Sequence, residues 1–236
     1  RAPGPMHDGV GSGLVGDTIG NQRVHGGDDQ AVYAYAREDL DAWEGVLERS
    51  LTNGMFGENL TTSDIEVTEA RIGERWRIGT DGLLLEVSAP RIPCRTFSSF
   101  LQIKGWVKTF TQAAVPGAYL RVISPGTVRA GDTISVDYGP EHDVTIGLVF
   151  RAEMTEPELL PLLLEAEALP DNVPTPVAKP QVKPPEPQKP AEKPPEKTPD
   201  QPKTADMPTD KKKADKKQET AKSASSAHVV QTFWPE

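Results

Sequence analysis

Cysteine is almost absent from this chain: Cys94 is the single one in 236 residues. An internal disulfide is therefore excluded, and a lone thiol fits a reducing compartment. The four histidines are scattered, so no Cys/His cluster with zinc or iron ligand spacing emerges. No run of 18 apolar residues exists, so no membrane span is expected. No leader-peptide pattern is seen at the start, where the first residue is Arg1 rather than Met. These absences together predict a cytoplasmic protein. There is no P-loop, and the glycine-rich GVGSGLVG of residues 9–16 lacks the preceding strand that a dinucleotide fingerprint needs.

Large apolar residues are also scarce in one part of the chain. Residues 171–227 hold no aromatics and are built from Pro, Lys, Glu, Asp, Gln, Thr and Ala. Of the 23 prolines, 13 lie after Pro170. Such a segment cannot bury enough surface to offset the entropy of ordering it, so a disordered tail of extended, polyproline-like conformers is expected over 171–227. Residues 1–170 form the expected globular domain, ample for one core. Residues 228–236, HVVQTFWPE, restore apolar side chains and form a short peptide with no role legible in its composition. A proline-motif ligand in the tail is the sharper alternative to a plain spacer.

Basic charge is in short supply in the globular part. Residues 1–170 carry 14 Lys and Arg against 25 Asp and Glu, while the rest is slightly basic. An acidic domain argues against stable nucleic-acid binding, which needs a basic face.

What is present reads as a β-rich domain. Residues 65–70, 75–78, 83–87, 118–124, 133–138 and 145–150 have strand character between Gly- and Pro-marked turns, suggesting a closed or nearly closed sheet. Helices are expected from near Gln30, capped by Asp28 or Asp29, over 37–51, and over 155–169, with mixed character over 98–112.

The chemistry gathers at residues 86–95, EVSAPRIPCR. Pro90 and Pro93 stiffen the segment, which places Cys94 on an irregular stretch just past a strand. Arg91 and Arg95 flank the thiol, and nearby cations favour the thiolate that binds metals and attacks electrophiles. The plain alternative is a small, buried apolar cysteine. A Cys94–His25–Asn59 nucleophilic triad is a further combination that the sequence does not itself bring together.

Four motifs stand in order: HGGDDQAVYAY from His25, FGENLTT from Phe56, PRIPC ending at Cys94, and GAYLRVISPGTVRAGD from Gly117. Together they closely resemble the bacterial YiiM type of MOSC domain, a family named after the C-terminal domain of molybdenum cofactor sulfurases. The resemblance covers roughly residues 1–165. It implies a β-barrel with a few peripheral helices and binding of the molybdenum cofactor, a molybdopterin. Cys94 matches the family's cysteine, viewed in relatives as a molybdenum ligand or as a persulfide carrier. His25, Gly26 and Gly27 match a turn whose backbone can approach the pterin or phosphate. Phe56, Gly57, Glu58 and Asn59 match a segment whose polar side chains either contact a pterin or brace the loop. Arg91 suits oxyanion binding.

Relatives begin with a further strand and a Lys-Arg-Pro-like segment, of which Arg1 is the match that remains. The resemblance thus leaves barrel closure and tight cofactor binding open. The activity it implies is reduction of N-hydroxylated small molecules, such as hydroxylamino bases, with an external electron-donor protein. A persulfide sulfur carrier, or a non-catalytic module with an interaction tail, are the alternatives.

Overall fold

Strand β1, Val32–Ala36, is buried along its whole length, and its alternating residues go to two different places. Val32, Ala34 and Ala36 face one apolar cluster, whereas Tyr33 and Tyr35 face a second, mostly aromatic one. A strand's side chains alternate between the two faces of the sheet, so β1 is a wall with packed material on both sides. The computed structural model describes residues 13–15, 26–174 and 227–232.

Six further strands complete a closed barrel: β2 (Leu60–Ser63), β3 (Arg75–Ile78), β4 (Leu83–Pro90), β5 (Ala118–Ser124), β6 (Thr133–Tyr138) and β7 (Ala227–Thr232). The order around it is β1-β2-β7-β6-β3-β4-β5. Only β1 and β2 pair in parallel; the other neighbours are antiparallel. The barrel-forming expectation is therefore met, and closure removes the exposed edges that an open sheet would leave. The resemblance left closure open; the barrel closes with β7 between β2 and β6. The 228–236 peptide thus contributes residues to this strand.

Inside, Val32, Leu60, Trp76, Ile78, Leu85, Val87, Leu120 and Val229 meet in one core. Four helices lie outside: α1 (Arg37–Leu47), α2 (Arg95–Leu101), α3 (Trp106–Ala113) and α4 (Ile146–Met154). Packing onto this core continues to Val173, whose N–H bonds the Pro170 carbonyl. The predicted tail beyond it, residues 175–226, lies outside the described residues.

Several local expectations give way to identifiable forces. The helix expected near Gln30 is a single 3-10 turn, Asp28–Gln30, followed at once by β1; the VYAYA alternation suits a strand packed on both faces. Residues 65–70 hold a 3-10 turn, Val67–Glu69, and the strand lies earlier, at β2, ending where Asp64 takes a left-handed φ of 59°. Residues 145–150 are helical, not extended. Thr145 Oγ1 accepts the Leu148 N–H, and Ile146, Val149 and Phe150 fall on one buried face. Residues 157–165 wind as a 3-10 helix; in an α-helix the Pro161 ring would strike the carbonyl four residues earlier. Helix α1 stops before its expected end because Glu48 turns left-handed, at φ 52°.

The turn before β5 is tightly fitted. Gly117 has φ +68°, and a Cβ there would lie 2.6 Å from the Tyr35 ring, 2.7 Å from the Ala34 carbonyl and 2.8 Å from the Tyr33 ring. Gly117→Ala is expected to destabilise the fold by about 2–4 kcal/mol through overpacking and backbone strain, read as a lower urea midpoint with unchanged slope.

Burial raises the Glu153 carboxyl on α4 from 4.5 to about 7. Its folded-state value thus exceeds the unfolded one, and the folded protein holds the extra proton between them. Stability should fall as pH rises from about 4.5 to about 7. Glu153→Gln should flatten that fall in thermal melts taken across the range.

Candidate functional site

The second, aromatic cluster covers the outer side of β1. Tyr33, Tyr35, Trp43, Phe56, Phe97, Trp106, Phe110 and Phe150 pack together with Leu40, Leu51 and Leu101. Phe56 lies at its centre, edge-on to Tyr35 at 5.1 Å, Phe97 at 5.2 Å and Trp106 at 5.5 Å between ring centroids. Edge-to-face aromatic pairs each add about 0.5–1.5 kcal/mol beyond the area they bury. The layer's tyrosines are fixed by their hydroxyls: Tyr33 donates to the Pro116 carbonyl at 2.7 Å and Tyr35 to the Val115 carbonyl at 2.9 Å.

Cys94 is half-buried at the rim of this layer. Strand β4 ends at Pro90, α2 begins at Arg95, and residues 91–94 form the irregular link between them, as the proline pattern predicts. Cys94 is the residue that starts α2: its carbonyl accepts the Ser98 N–H at 3.2 Å.

Arg91 is directed into the aromatics. Its guanidinium carbon lies 3.8 Å from the Phe97 ring centroid and 5.3 Å from that of Tyr33, and its Nη1 donates to the Phe56 carbonyl at 2.8 Å. A weakly hydrated guanidinium tolerates such a place because it stacks on ring faces. Arg91 therefore pins the PRIPC segment to the FGEN segment, joining two motifs 35 residues apart. Arg95 is exposed to solvent.

The FGEN segment is organised by its own acid. Glu58 is 2% exposed, and its carboxylate accepts the Gly54 N–H at 2.7 Å, the Phe56 N–H at 3.0 Å and the Thr61 hydroxyl at 3.0 Å. Burial raises its pKa, and these donors act against that rise. Asn59 bridges to β1, its Oδ1 accepting the Tyr33 N–H at 2.9 Å and its N–H donating to the Tyr33 carbonyl at 2.8 Å. Phe56 is core, and Gly57 supplies a positive φ of 79° that turns the loop. In this geometry the side chains of Phe56, Glu58 and Asn59 brace the loop.

Gly26 and Gly27 both take positive φ, 85° and 90°, at the approach to β1. The residues just after them are anchored to the β4–β5 ladder. The Asp29 carboxylate pairs with Arg121 at 2.7 Å, and its carbonyl accepts from the Ser88 hydroxyl. Arg121 in turn pairs with Glu86 at 2.9 Å, which pairs with Arg75 at 2.8 Å. The glycine turn is thus fixed to the barrel wall, and the FGEN segment to Arg91. His25 and Arg1 lie outside the described residues, and with His25 the third member of the considered triad.

Tyr33 and Tyr119 lie near Arg91, and the sequence reading passed over them. The two rings lie 5.2 Å apart on adjacent strands, directly paired in register. Burial raises both hydroxyls' pKa values, Arg91 lowers them, and a charge on Cys94 would raise that of Tyr119 further. The available signal was their position: each sits on a strand of alternating pattern just after a glycine turn. The half-buried Cys94 and the fixed cation of Arg91 both bear on the buried phenol of Tyr119. Among the described residues no group of three or more His, Cys, Asp or Glu could hold a metal ion. No helix among them is long and apolar enough to cross a membrane.

Comparison with known proteins agrees with this architecture. Residues 21–135 match the family model of the MOSC domain. The chain is 36% identical over 127 residues to the uncharacterized protein YflK of Bacillus subtilis, covering 54% of this chain and 57% of that one. It is 32% identical over 172 residues to a protein of Gibberella moniliformis named Reductase, covering 70% of this chain and 30% of that one. It thus spans well under two thirds of each relative's length. The crystal structure of YiiM from Geobacillus stearothermophilus superimposes with a TM-score of 0.57 at 26% identity, covering 61% of this chain and 74% of that one. The barrel, the four motifs and these matches agree on one reading: residues 21–135 of this chain are a MOSC domain.

Proposed function

We propose that this protein binds the molybdenum cofactor beside Cys94 and reduces N-hydroxylated small molecules there. The observation that carries the reading is the half-buried Cys94 at the rim of a rigid aromatic layer, in a MOSC domain. The donor chemistry fits. One soft thiolate is a sufficient protein ligand for a metal that arrives already held by an organic dithiolene, and it suits a sulfur-rich coordination sphere. The relative named Reductase supports an oxidoreductase over other activities.

When bound, the molybdenum centre supplies two-electron redox chemistry. Cys94 would hold the metal. Arg91 places a permanent cation in the same wall, favouring an anionic group at the rim. The positive-φ Gly26–Gly27 turn offers backbone N–H groups to an oxyanion. Converting an N–OH group to N–H with release of water takes two electrons and two protons, so a separate electron-donor protein completes the cycle. A cytoplasmic setting, where such donors are found, belongs to this reading.

The test is protein purified from a cofactor-producing host, assayed for molybdenum, pterin fluorescence and hydroxylamine reduction. Bound molybdenum is expected, and Cys94→Ser should lose the metal and at least about 100-fold in activity, the scale set by a group acting on the reacting centre. Full activity in that variant would remove the ligand role. A persulfide on Cys94 seen by intact mass, with no metal present, would favour the sulfur-carrier alternative. Glu58→Gln separates bracing from cofactor contact: with one acceptor lost against several buried donors, cofactor-free protein should lose about 1–3 kcal/mol in urea unfolding.

A further inference from the structure

The strand that closes the barrel is attached in an unusual way. β7 follows the last described residue of the preceding segment, Pro174, by the roughly 50 residues of 175–226. Among the other consecutive strands the longest connection, from β4 to β5, is residues 91–117. β7 pairs with β2 through Ser63↔His228, Thr62↔Val229, Thr61↔Gln231 and Leu60↔Thr232, and with β6 through Thr133↔His228 and Ile134↔Ala227. Val229 N–H bonds the Asp132 carbonyl and the Gly131 N–H bonds the Val229 carbonyl, each at 2.8 Å. Val229 is fully buried, while Val230 points outward at 38% exposed.

Among the described residues, β7 is held by these backbone hydrogen bonds, by the buried Val229 and by the partly buried Ala227. A connection of roughly 50 residues is long enough to carry β7 to a second barrel, since an extended chain spans about 3.3 Å per residue. The slot it leaves has β2 on one side and β6 on the other, both aligned to accept an antiparallel strand.

We propose that this slot is a strand-acceptor site and that its second occupant is β7 of another copy of the chain, giving a reciprocal, two-fold dimer. The closed and exchanged forms contain the same strand pairings, so chain concentration sets the balance between them. Exchange therefore sets in as chain concentration approaches the effective concentration of the tethered strand. For a connection of this length that is on the order of millimolar.

Cross-strand trapping in the full-length chain tests this. Ser63→Cys and His228→Cys, in a Cys94→Ser background, place thiols on directly paired residues. Paired strand positions are within disulfide reach. Tagged and untagged chains are mixed, equilibrated at about 10 µM and about 1 mM, and oxidised. The ratio of covalent dimer to covalent monomer should rise roughly 100-fold with concentration, and tagged–untagged species should be among the dimers. Covalent monomer alone at both concentrations would overturn the exchange. Native mass spectrometry of isotope-labelled and unlabelled wild-type chain, concentrated together, gives the same reading without substitutions: mixed dimers support it. Absence of any cross-link, with no mixed dimers of the wild type, would overturn the strand-acceptor site itself.

Discussion

The two-sided burial of β1 is the constraint on which the remainder of the structure depends. Its small inner residues, Ala34 and Ala36, leave room for Trp76 and the aliphatic side chains of the barrel interior. Its large outer residues, Tyr33 and Tyr35, found the aromatic layer that α1, α2 and α3 cover. A slip of one residue in register would exchange these sets, driving two tyrosines into the barrel and two alanines under the helices. The register is fixed from several directions: Tyr33 pairs with Tyr119, Asn59 holds both polar groups of the Tyr33 backbone, and the two tyrosine hydroxyls reach Val115 and Pro116. Gly117 permits that close approach because any side chain there would strike both rings.

The candidate site inherits its rigidity from this layer. Arg91 is a cation held by ring faces and a carbonyl, not a mobile surface arginine. Fixing it also fixes residues 91–94, since Pro93 removes one of the few remaining backbone freedoms. Cys94 is thus presented by a link with a strand on one side and a helix on the other. Glu58 plays the matching part across the gap, holding its own loop by three donors so that the Phe56 carbonyl faces Arg91. Charge is used here to organise backbone, which leaves the sulfur as the chemically distinct atom at the rim.

Where the sequence was legible, it was because local pattern and tertiary environment agreed. The turn-bounded strands β3, β5 and β6 are half-exposed or alternate in burial, and their residues read correctly. Cys94's place past a strand followed from Pro90 and Pro93. Residues 145–150 misled because Thr, Ile, Val and Phe favour strands, whereas the Thr145 cap and the burial of Ile146, Val149 and Phe150 on one side decide for a helix. Glu58 was ambiguous in the sequence because a carboxylate that braces a loop and one that meets a ligand share the same residue type. Only the positions of the Gly54, Phe56 and Thr61 donors separate the two. Tyr33 and Tyr119 escaped notice since their pairing joins residues 86 positions apart, across two strands that no short motif links.

Closure of the barrel shows the same limit most sharply. Val229 reaches the interior from beyond a long stretch whose composition cannot form a core, so composition alone separates β7 from the domain that it completes. Pairing is decided by what β2 and β6 lack without it: two rows of backbone donors and acceptors and an uncovered end of the core. Unpaired buried backbone groups are costly enough that a short strand of moderate apolarity is drawn in despite the distance along the chain. Because loop-closure entropy grows only logarithmically with length, that distance weakens the docking by little more than a connection half as long would. The sequence separation that hides β7 from a local reading is therefore a small term in the energetics that place it.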